Sequence, residues 1–263
     1  MDALSVAHLY RVAPRDLAAM TGRSASGFTI AWHAKRQDDA LGKQLQLQPS
    51  HSGKSHGSPM KLGSLKEGGR DGTLIVVSRD LTRAVRATGI ADTLQRALED
   101  WSNTAPRLNA LSDALNADTA DGAFDLDVSA LAAPLPRAYE FVDGSAYLPH
   151  VERVRRARGA EVPESFYVDP LMYQAVSAGF YGPRDPVRVP SEDYGIDLEA
   201  EVVIVTDDVP MAVTPEQAAA HIQLVGLVND VSLRNLIPGE LAKGFGFLQS
   251  KPRSALSPVF VTP

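Results

Sequence analysis

The stretch that decides the fold is an apolar run with acids inside it, Gly195-Ile-Asp-Leu-Glu-Ala-Glu-Val-Val-Ile-Val205. Its pattern predicts one long β-strand. Side chains two positions apart in a strand point to the same face, so Glu199 and Glu201 are expected side by side. The opposite face of the predicted strand carries Leu198, Ala200, Val202 and Ile204.

Two buried carboxylates are costly unless a cation neutralises them. A hard divalent metal would do so, because oxygen ligands suit Mg²⁺ or Ca²⁺. A third acid, Asp230, ends a second apolar run, Ile222–Asn229, which also predicts a strand. The competing interpretation is that Glu199 and Glu201 face solvent on a half-exposed strand. From the spacing alone that interpretation is the more frequent one, because Glu-x-Glu pairs are common.

The segment between these two strands has the residues of a helix start. Thr214 predicts the N-cap, Pro215 the first helical position and Glu216 the first turn. His221 follows three alanines at the end of the predicted helix. We expect it to cap the last carbonyls and to complement the helix dipole, which is a structural role.

Further upstream, the sequence predicts a hairpin followed by two helices. Strands at Met60–Leu65 and Thr73–Ser78 flank the turn cluster Gly68–Gly72. The first helix is expected to bury one apolar face, made of Leu94, Ala97, Leu98 and Trp101. Thr104 predicts the N-cap of the second helix. The second helix is expected to bury Leu108, Leu111 and Leu115.

Composition excludes several classes of protein. The chain has no cysteine, which excludes disulfides, zinc–thiolate sites and cysteine nucleophiles. No apolar run approaches the roughly 18–20 residues that span a bilayer, and the start of the chain lacks the pattern of a secretory signal. The net charge of −6 argues against a nucleic-acid surface and against binding to an anionic membrane. A cytoplasmic location is therefore expected.

Residues 1–59 differ in composition from the rest of the chain. They carry a formal charge of +3, against −9 for residues 60–263, and four of the six histidines. The tract Gln48–Pro59 has almost no apolar residue, so it cannot offset the entropy of ordering, and a flexible segment is predicted. A His-containing Ser/Gly tract is also a candidate metal binder, but a solvated linker is far more frequent.

Several sequence blocks, in order and spacing, resemble the fumarylacetoacetate hydrolase family. The blocks are Gly195–Val202, Leu227–Arg234, Leu241–Phe247, Ser250–Pro252 and Ser257–Val259. Weaker similarity extends back to Met60. The resemblance implies an α+β fold, the mixed β-roll of the fumarylacetoacetate hydrolase type, with a small N-terminal hairpin-plus-helices domain.

The resemblance also implies a division of the chain into three regions. Residues 1–59 are a flexible extension outside the family, 60–130 a small N-terminal domain, and 131–263 a metal-binding catalytic domain. Family members continue for several dozen residues beyond the position of Pro263, with further strands and a Gly-Ser-Gly-Thr-like loop near the substrate. The catalytic domain is therefore expected to be truncated at its C-terminus.

The family's metal ligands and active-site lysine are carried over residue by residue. Glu199, Glu201 and Asp230 fall on the metal ligands, and Lys251 falls on the lysine. Asp169 falls where the larger hydrolases supply a fourth acidic ligand, although a turn acid before a proline is an equally good interpretation. The implied metal is Mg²⁺, with Ca²⁺ or Mn²⁺ as alternatives.

The proton-handling group is predicted in the segment Ala146–Arg153. It resembles the lid of the small family members, in which a histidine paired with a glutamate activates water. His150 and Glu152 are the candidates here, but they stand two positions apart, and such residues do not face each other on a helix. The larger hydrolases place their histidine seven residues after the fourth acidic ligand; counted from Asp169, that position is Val176.

The resemblance implies a hydrolase that cleaves a carbon–carbon bond in a fumarylacetoacetate- or acylpyruvate-like 1,3-diketo acid. Arg234 matches the family's Asp-x-Ser-x-Arg pattern, and it either holds a substrate carboxylate or pairs with a buried acid. The implied partner is a small-molecule diketo acid, and the implied assembly is a homodimer. The alternatives are a decarboxylase, isomerase or hydratase of the same family acting through a metal-bound enolate, or a catalytically inactive truncated relative.

Overall fold

The computed structural model describes residues 58–144, 148–157, 159–167, 169 and 171–263. The predicted flexible extension over residues 1–59 lies, apart from its last two residues, outside the described part. Within the described part, twelve β-strands and five α-helices form an α+β fold. None of the helices in that part is both long and apolar enough to cross a membrane.

One antiparallel sheet organises the molecule. The strands in chain order are β1 (Lys61–Leu65), β2 (Thr73–Val77), β3 (Arg83–Arg86), β4 (Phe124–Asp125), β5 (Val142–Gly144), β6 (Met172–Gln174), β7 (Ile196–Asp197), β8 (Ala200–Thr206), β9 (Ile222–Asn229), β10 (Ser232–Leu233), β11 (Ala255–Leu256) and β12 (Phe260–Val261). The main sheet has eight strands in the order β11-β9-β12-β1-β2-β3-β4, with β8 paired to β9. Two smaller sheets pair β5 with β6 and β7 with β10.

The N-terminal hairpin is continuous with the strands of the C-terminal region. β1 pairs with β2, which confirms the predicted hairpin, and its other edge pairs with β12, where Leu62 faces Phe260. Successive side chains of a strand point to opposite faces. Leu62 and Val76 therefore join one buried cluster, whereas Ile75 and Val77 join another on the other side of the sheet.

Two helices, α1 (Leu94–Glu99) and α2 (Trp101–Asn116), pack on one face of this sheet. The other three helices of the described part are α3 (Leu148–Ala157), α4 (Pro215–Ala219) and α5 (Ile237–Leu241). Leu94, Leu108 and Leu115 are fully buried against the sheet, as the apolar stripes predicted. The prediction of Thr104 as an N-cap was wrong. α2 begins one turn earlier, after Asp100, so Thr104 lies inside the helix and donates its hydroxyl to the carbonyl of Ala97.

The predicted long strand Gly195–Val205 is two strands, β7 and β8, separated at Leu198 and Glu199. Side chains replace the sheet partners of the backbone at this break. The N–H of Leu198 donates to the Asp197 carboxylate at 3.0 Å, and the N–H of Glu199 donates to the side-chain oxygen of Asn229 at 3.2 Å. The residues just before this break, in β7, therefore belong to a different, two-stranded sheet, in which β7 pairs with β10.

The other two predicted elements of this region are confirmed. β9 spans Ile222–Asn229, as predicted. α4 begins after Thr214, whose side chain accepts the N–H of Gln217 while the Gln217 side chain accepts the N–H of Thr214. This reciprocal capping fixes the start of a helix that is only five residues long.

Candidate metal centre

Three carboxylates from separate parts of the fold converge at one place. Asp143 lies in β5, Glu201 lies in β8, and Asp230 directly follows β9. One oxygen of each carboxylate lies within 4.8 Å of the others. Asp230 is only 1% exposed, and the other two residues are half-buried. Oxygen ligands at this spacing suit a hard divalent cation.

The orientation of β8 directs Glu201 inward. Along this strand, Glu201 and Val203 are half-buried, whereas Val202 and Ile204 on the opposite face are exposed. The interpretation in which Glu201 faces solvent therefore does not describe the fold. The apolar residues that the sequence pattern placed opposite the acids form the more exposed face of the strand.

Sequence reasoning missed Asp143. β5 pairs with β6 in a two-stranded ribbon, and this pairing brings Asp143 to the acids of the main sheet. Asp169 is exposed and, among the described residues, does not belong to this carboxylate group. Asp143 also stands seven residues before His150. This is the spacing that the resemblance implies between the fourth acidic ligand and the histidine of the larger hydrolases.

Lys251 bridges two of the acids, Asp230 and Glu199. Its Nζ is 2.6 Å from Asp230 Oδ2 and 2.8 Å from Glu199 Oε2. The side chain is buried. Burial alone would lower the pKa of Lys251, but the charges of Asp230 and Glu199 outweigh it and raise this pKa above its ordinary value. The two acids therefore stabilise the charged form of Lys251.

Glu199 is held by cationic side chains. One oxygen accepts the bond from Lys251, and the other accepts a bond from the Arg234 guanidinium. Arg234 also donates through Nε to Asp197 at 2.9 Å. Of the two predicted roles of Arg234, this geometry corresponds to pairing with acids. Burial lowers the pKa of Arg234, but the Glu199 and Asp197 charges raise it overall.

Asp230 is satisfied on both oxygens. The Tyr173 hydroxyl donates to Oδ2 at 2.7 Å, and the Ser254 hydroxyl donates to Oδ1 at 3.0 Å. Burial raises the pKa of Asp230, but the Lys251 charge and these hydrogen bonds bring it below its usual value. Burial and the Asp230 charge both raise the pKa of Tyr173, so its hydroxyl stays protonated and acts as a donor.

Negative charge exceeds positive charge in this cluster. The three converging carboxylates and Glu199 face two cationic side chains, Lys251 and Arg234. Burial, followed by the charges of Asp143 and Asp230, raises the pKa of Glu201 to about 8. Burial and the Asp230 charge likewise raise the pKa of Asp143. A divalent cation would balance this excess, so the donor set fits the metal that the resemblance implies.

The predicted proton-handling pair lies on α3. His150 and Glu152 are both within this helix, two positions apart, and residues at that spacing do not face each other on a helix. Glu152 instead accepts a long hydrogen bond of 3.4 Å from the Tyr167 hydroxyl. His221 lies outside this cluster, where its ring pairs with the Asp207 carboxylate rather than with helix carbonyls. The assignment of His150 as a base stays a prediction.

Comparison with protein families covers most of the described chain. Residues 60–137 match the family described as fumarylacetoacetase N-terminal domain 2. Residues 140–263 match the family described as fumarylacetoacetate (FAA) hydrolase C-terminal. The second match contains all three converging carboxylates and Lys251.

Individual relatives are similar over only part of their length. A segment of 67 residues is 30% identical to the mitochondrial oxaloacetate tautomerase fahd2 of Xenopus laevis, covering 26% of this chain and 21% of that protein. The fumarylacetoacetate hydrolase of Exiguobacterium antarcticum has a similar structure, with a TM-score of 0.51 and 21% identity over 77% of this chain and 66% of that one. A probable 2-hydroxyhepta-2,4-diene-1,7-dioate isomerase from Mycobacterium abscessus gives a TM-score of 0.51 and 19% identity over 77% and 63%. At this identity the two structures support the fold alone.

Proposed function

The chain belongs to the fumarylacetoacetate hydrolase family, and we propose that it supplies the metal centre of an enzyme acting on a 1,3-diketo acid. The proposed reaction is hydrolysis of a carbon–carbon bond in an acylpyruvate- or fumarylacetoacetate-like substrate. The observation that carries the proposal is the convergence of Asp143, Glu201 and Asp230 around an excess of negative charge.

These three carboxylates are the proposed holders of a divalent cation, with Mg²⁺ as the first candidate. When bound, the ion would supply Lewis acidity toward the oxygens of a chelating substrate. Asp143 replaces Asp169 in this proposal, because Asp143 lies in the group and Asp169 does not. Glu199, which the resemblance places among the metal ligands, is not part of this three-carboxylate group; it is proposed to hold Lys251 and Arg234 in position, since it bonds both.

The remaining roles belong to the side chains around the carboxylates. Lys251 presents a fixed positive charge, which would stabilise negative charge that develops on a substrate oxygen. His150 is the proposed base that takes a proton from water as the water adds to the carbonyl farther from the substrate carboxylate. Collapse of the tetrahedral adduct then breaks the carbon–carbon bond and gives a carboxylic acid and an enolate, and the enolate carbon takes up the proton held by His150 to form the ketone.

A second candidate function is tautomerisation or isomerisation of a 2-oxo acid. The relative named as an oxaloacetate tautomerase favours this class. Decarboxylation belongs to the same class, because each of these reactions passes through an enolate. The same carboxylates and Lys251 would serve all of them. What differs is the need for an activated water, which hydrolysis alone requires.

The experiment is ultraviolet absorbance of acetylpyruvate, fumarylpyruvate, fumarylacetoacetate and enol-oxaloacetate, each incubated with the purified chain. Mg²⁺-dependent loss of the diketo band that EDTA abolishes supports the hydrolase. Loss of the enol-oxaloacetate band without diketo cleavage supports the tautomerase. Glu201→Ala should abolish either activity, whereas the exposed Glu216→Ala in α4 is the matched control. Undiminished Mg²⁺-dependent turnover in Glu201→Ala would contradict the assignment of the site.

The proposed assembly is a homodimer that binds a small diketo acid. The family resemblance supports this assembly. Sedimentation velocity on the purified chain measures it directly, and a monomer at micromolar concentration contradicts it.

A further inference from the structure

Glu240 in α5 is strongly hydrogen-bonded but does not touch the carboxylate cluster directly. Its Oε2 accepts the N–H of Leu248 at 2.9 Å and the N–H of Ser250 at 3.1 Å. Its Oε1 accepts the N–H of Gln249 at 2.7 Å. The Ser250 hydroxyl adds a fourth bond to Oε2 at 2.5 Å. Three consecutive backbone N–H groups therefore converge on one carboxylate.

The segment that Glu240 holds leads directly into Lys251. Ser250 is fully buried, and its carbonyl accepts the N–H of Leu233 in β10 at 2.8 Å. The next residue is Lys251, whose Nζ reaches Asp230 and Glu199. The backbone on the N-terminal side of the lysine is thus fixed both by Glu240 and by β10.

We infer that Glu240 is a positioning residue, which holds the Leu248–Ser250 segment so that the Lys251 ammonium stays between Asp230 and Glu199. A carboxylate suits this task because bonds from N–H groups to an ionised acceptor are stronger than neutral ones. The chain between α5 and this segment contains two glycines with positive φ, Gly244 at 80° and Gly246 at 95°, so it approaches the site as a turn rather than as regular structure. Such a segment needs a side chain to fix its end.

Glu240 remains ionised across the range of ordinary assays. Burial raises its pKa, but the bonds from Leu248, Ser250 and Gln249 lower this pKa to about 2. A neutral amide cannot replace it fully, because the amide nitrogen of glutamine is a donor and would face the N–H of Gln249 or of Ser250. Glu240→Gln therefore removes the charge and at least one bond while it preserves the size of the side chain.

This inference rests on the proposed function, because it takes the carboxylate cluster to be the reaction centre. Its test has two readouts, of which one does not require turnover. Reductive methylation followed by peptide mass spectrometry measures the accessibility of each lysine amine. Lys251 is protected in the fold, and Lys66, with 41% of its side chain exposed, is the internal reference. The second readout is kcat and KM for the diketo acid that the chain turns over.

In folded Glu240→Gln we expect methylation of Lys251 to rise severalfold relative to Lys66. We expect kcat to fall about tenfold with little change in KM, because a small displacement of a charged group costs rate rather than substrate binding. The matched control is Asp80→Asn. Asp80 also accepts a side-chain and a backbone bond, from Ser78 and Thr82, and hydrogen bonds likewise lower its pKa to about 2, but it lies in the turn between β2 and β3.

Several outcomes overturn the inference. The inference fails if Lys251 in Glu240→Gln is as protected from methylation as in the wild type. It also fails if methylation of Lys251 rises but kcat does not change, or if methylation rises equally at every lysine. If Glu240→Gln does not fold, Ser250→Ala replaces it as the test, because it removes only the hydroxyl bond to Glu240. Methylation of Lys251 should then rise measurably, and an unchanged level overturns the inference. If the wild-type chain turns over no substrate, the proposed function fails on its own, and the methylation pattern alone decides whether Glu240 positions Lys251.

Discussion

Asp143 and Tyr173 face each other directly across the β5–β6 ribbon, and both contact the group around Asp230. The ribbon pairs its two strands only with each other within the described part of the chain. Its side chains therefore connect it to the main sheet at the point where the metal is proposed to bind. The Tyr173 ring also packs edge-on against Phe247 at 4.6 Å between centroids and lies 5.5 Å from Lys251 Nζ.

Tyr173→Phe tests how much the hydroxyl contributes to this connection. The substitution keeps the ring packing but removes the 2.7 Å bond to the buried Asp230. We expect the free energy of unfolding to fall by about 1.5–3 kcal/mol, the value typical of a bond to a charged group. Urea denaturation without metal measures it.

The control for this change is Tyr139→Phe. Tyr139 donates a hydrogen bond of similar length, 2.8 Å, to Glu99, but it is 82% exposed. Water can replace that bond, so we expect a change within about 0.5 kcal/mol. Equal losses in the two variants would show that the Tyr173 bond to Asp230 is not distinctive.

Asp143→Asn and Asp169→Asn separate the two candidates for the additional acidic ligand. Mg²⁺ that binds the folded state raises the melting temperature. Loss of a residue that only hydrogen-bonds a metal ligand already weakens metal binding about tenfold. We therefore expect Asp143→Asn, which removes a proposed ligand, to weaken Mg²⁺ binding at least about tenfold. Asp169→Asn should leave the Mg²⁺-dependent shift unchanged. The reverse result would restore the ligand predicted from the sequence.

Local sequence patterns predicted the elements whose partners are near in the chain. The β1–β2 hairpin, the stripes of α1 and α2, and the Thr214 cap depend on residues within a few positions of one another. Local patterns could not predict the break between β7 and β8. It depends on Asn229, thirty residues away, whose side chain accepts the N–H of Glu199.

The same difference between near and distant partners explains which residues of the candidate site could be predicted. Glu201 lies in β8 and Asp230 directly follows the adjacent β9, and their apolar surroundings marked them in the sequence. Asp143 lies in a three-residue strand with an exposed, weakly apolar pattern, so nothing local marks it as buried. Only the ribbon's position against the main sheet brings it to the other acids. The signal in the sequence that points to Asp143 is its seven-residue spacing to His150, the spacing that the resemblance implies for the larger hydrolases.

Lys251→Met tests whether the lysine neutralises the acids. Its removal leaves Asp230, which is 1% exposed, without its cationic partner. We expect a loss of about 3–5 kcal/mol in the free energy of unfolding without metal, because an uncompensated buried charge remains. Saturating Mg²⁺ should restore part of this loss. Lys66→Met, which breaks the exposed pair with Asp185, is the control and should cost at most about 1 kcal/mol. A similar loss in both variants would contradict the central role of Lys251.

The raised pKa of Glu201 predicts how metal-free stability depends on pH. This pKa rises from 4.5 to about 8 in the fold, so between these values the folded state binds a proton that the unfolded state has released. Stability falls with pH wherever the folded state binds more protons. We therefore expect the urea midpoint of the metal-free chain to fall between pH 5.5 and 8, and Mg²⁺ to reduce this fall because it replaces the proton. Glu201→Gln keeps the shape without the titration and should show a flatter profile over the same range. An identical slope in wild type and Glu201→Gln would show that another group governs the pH dependence.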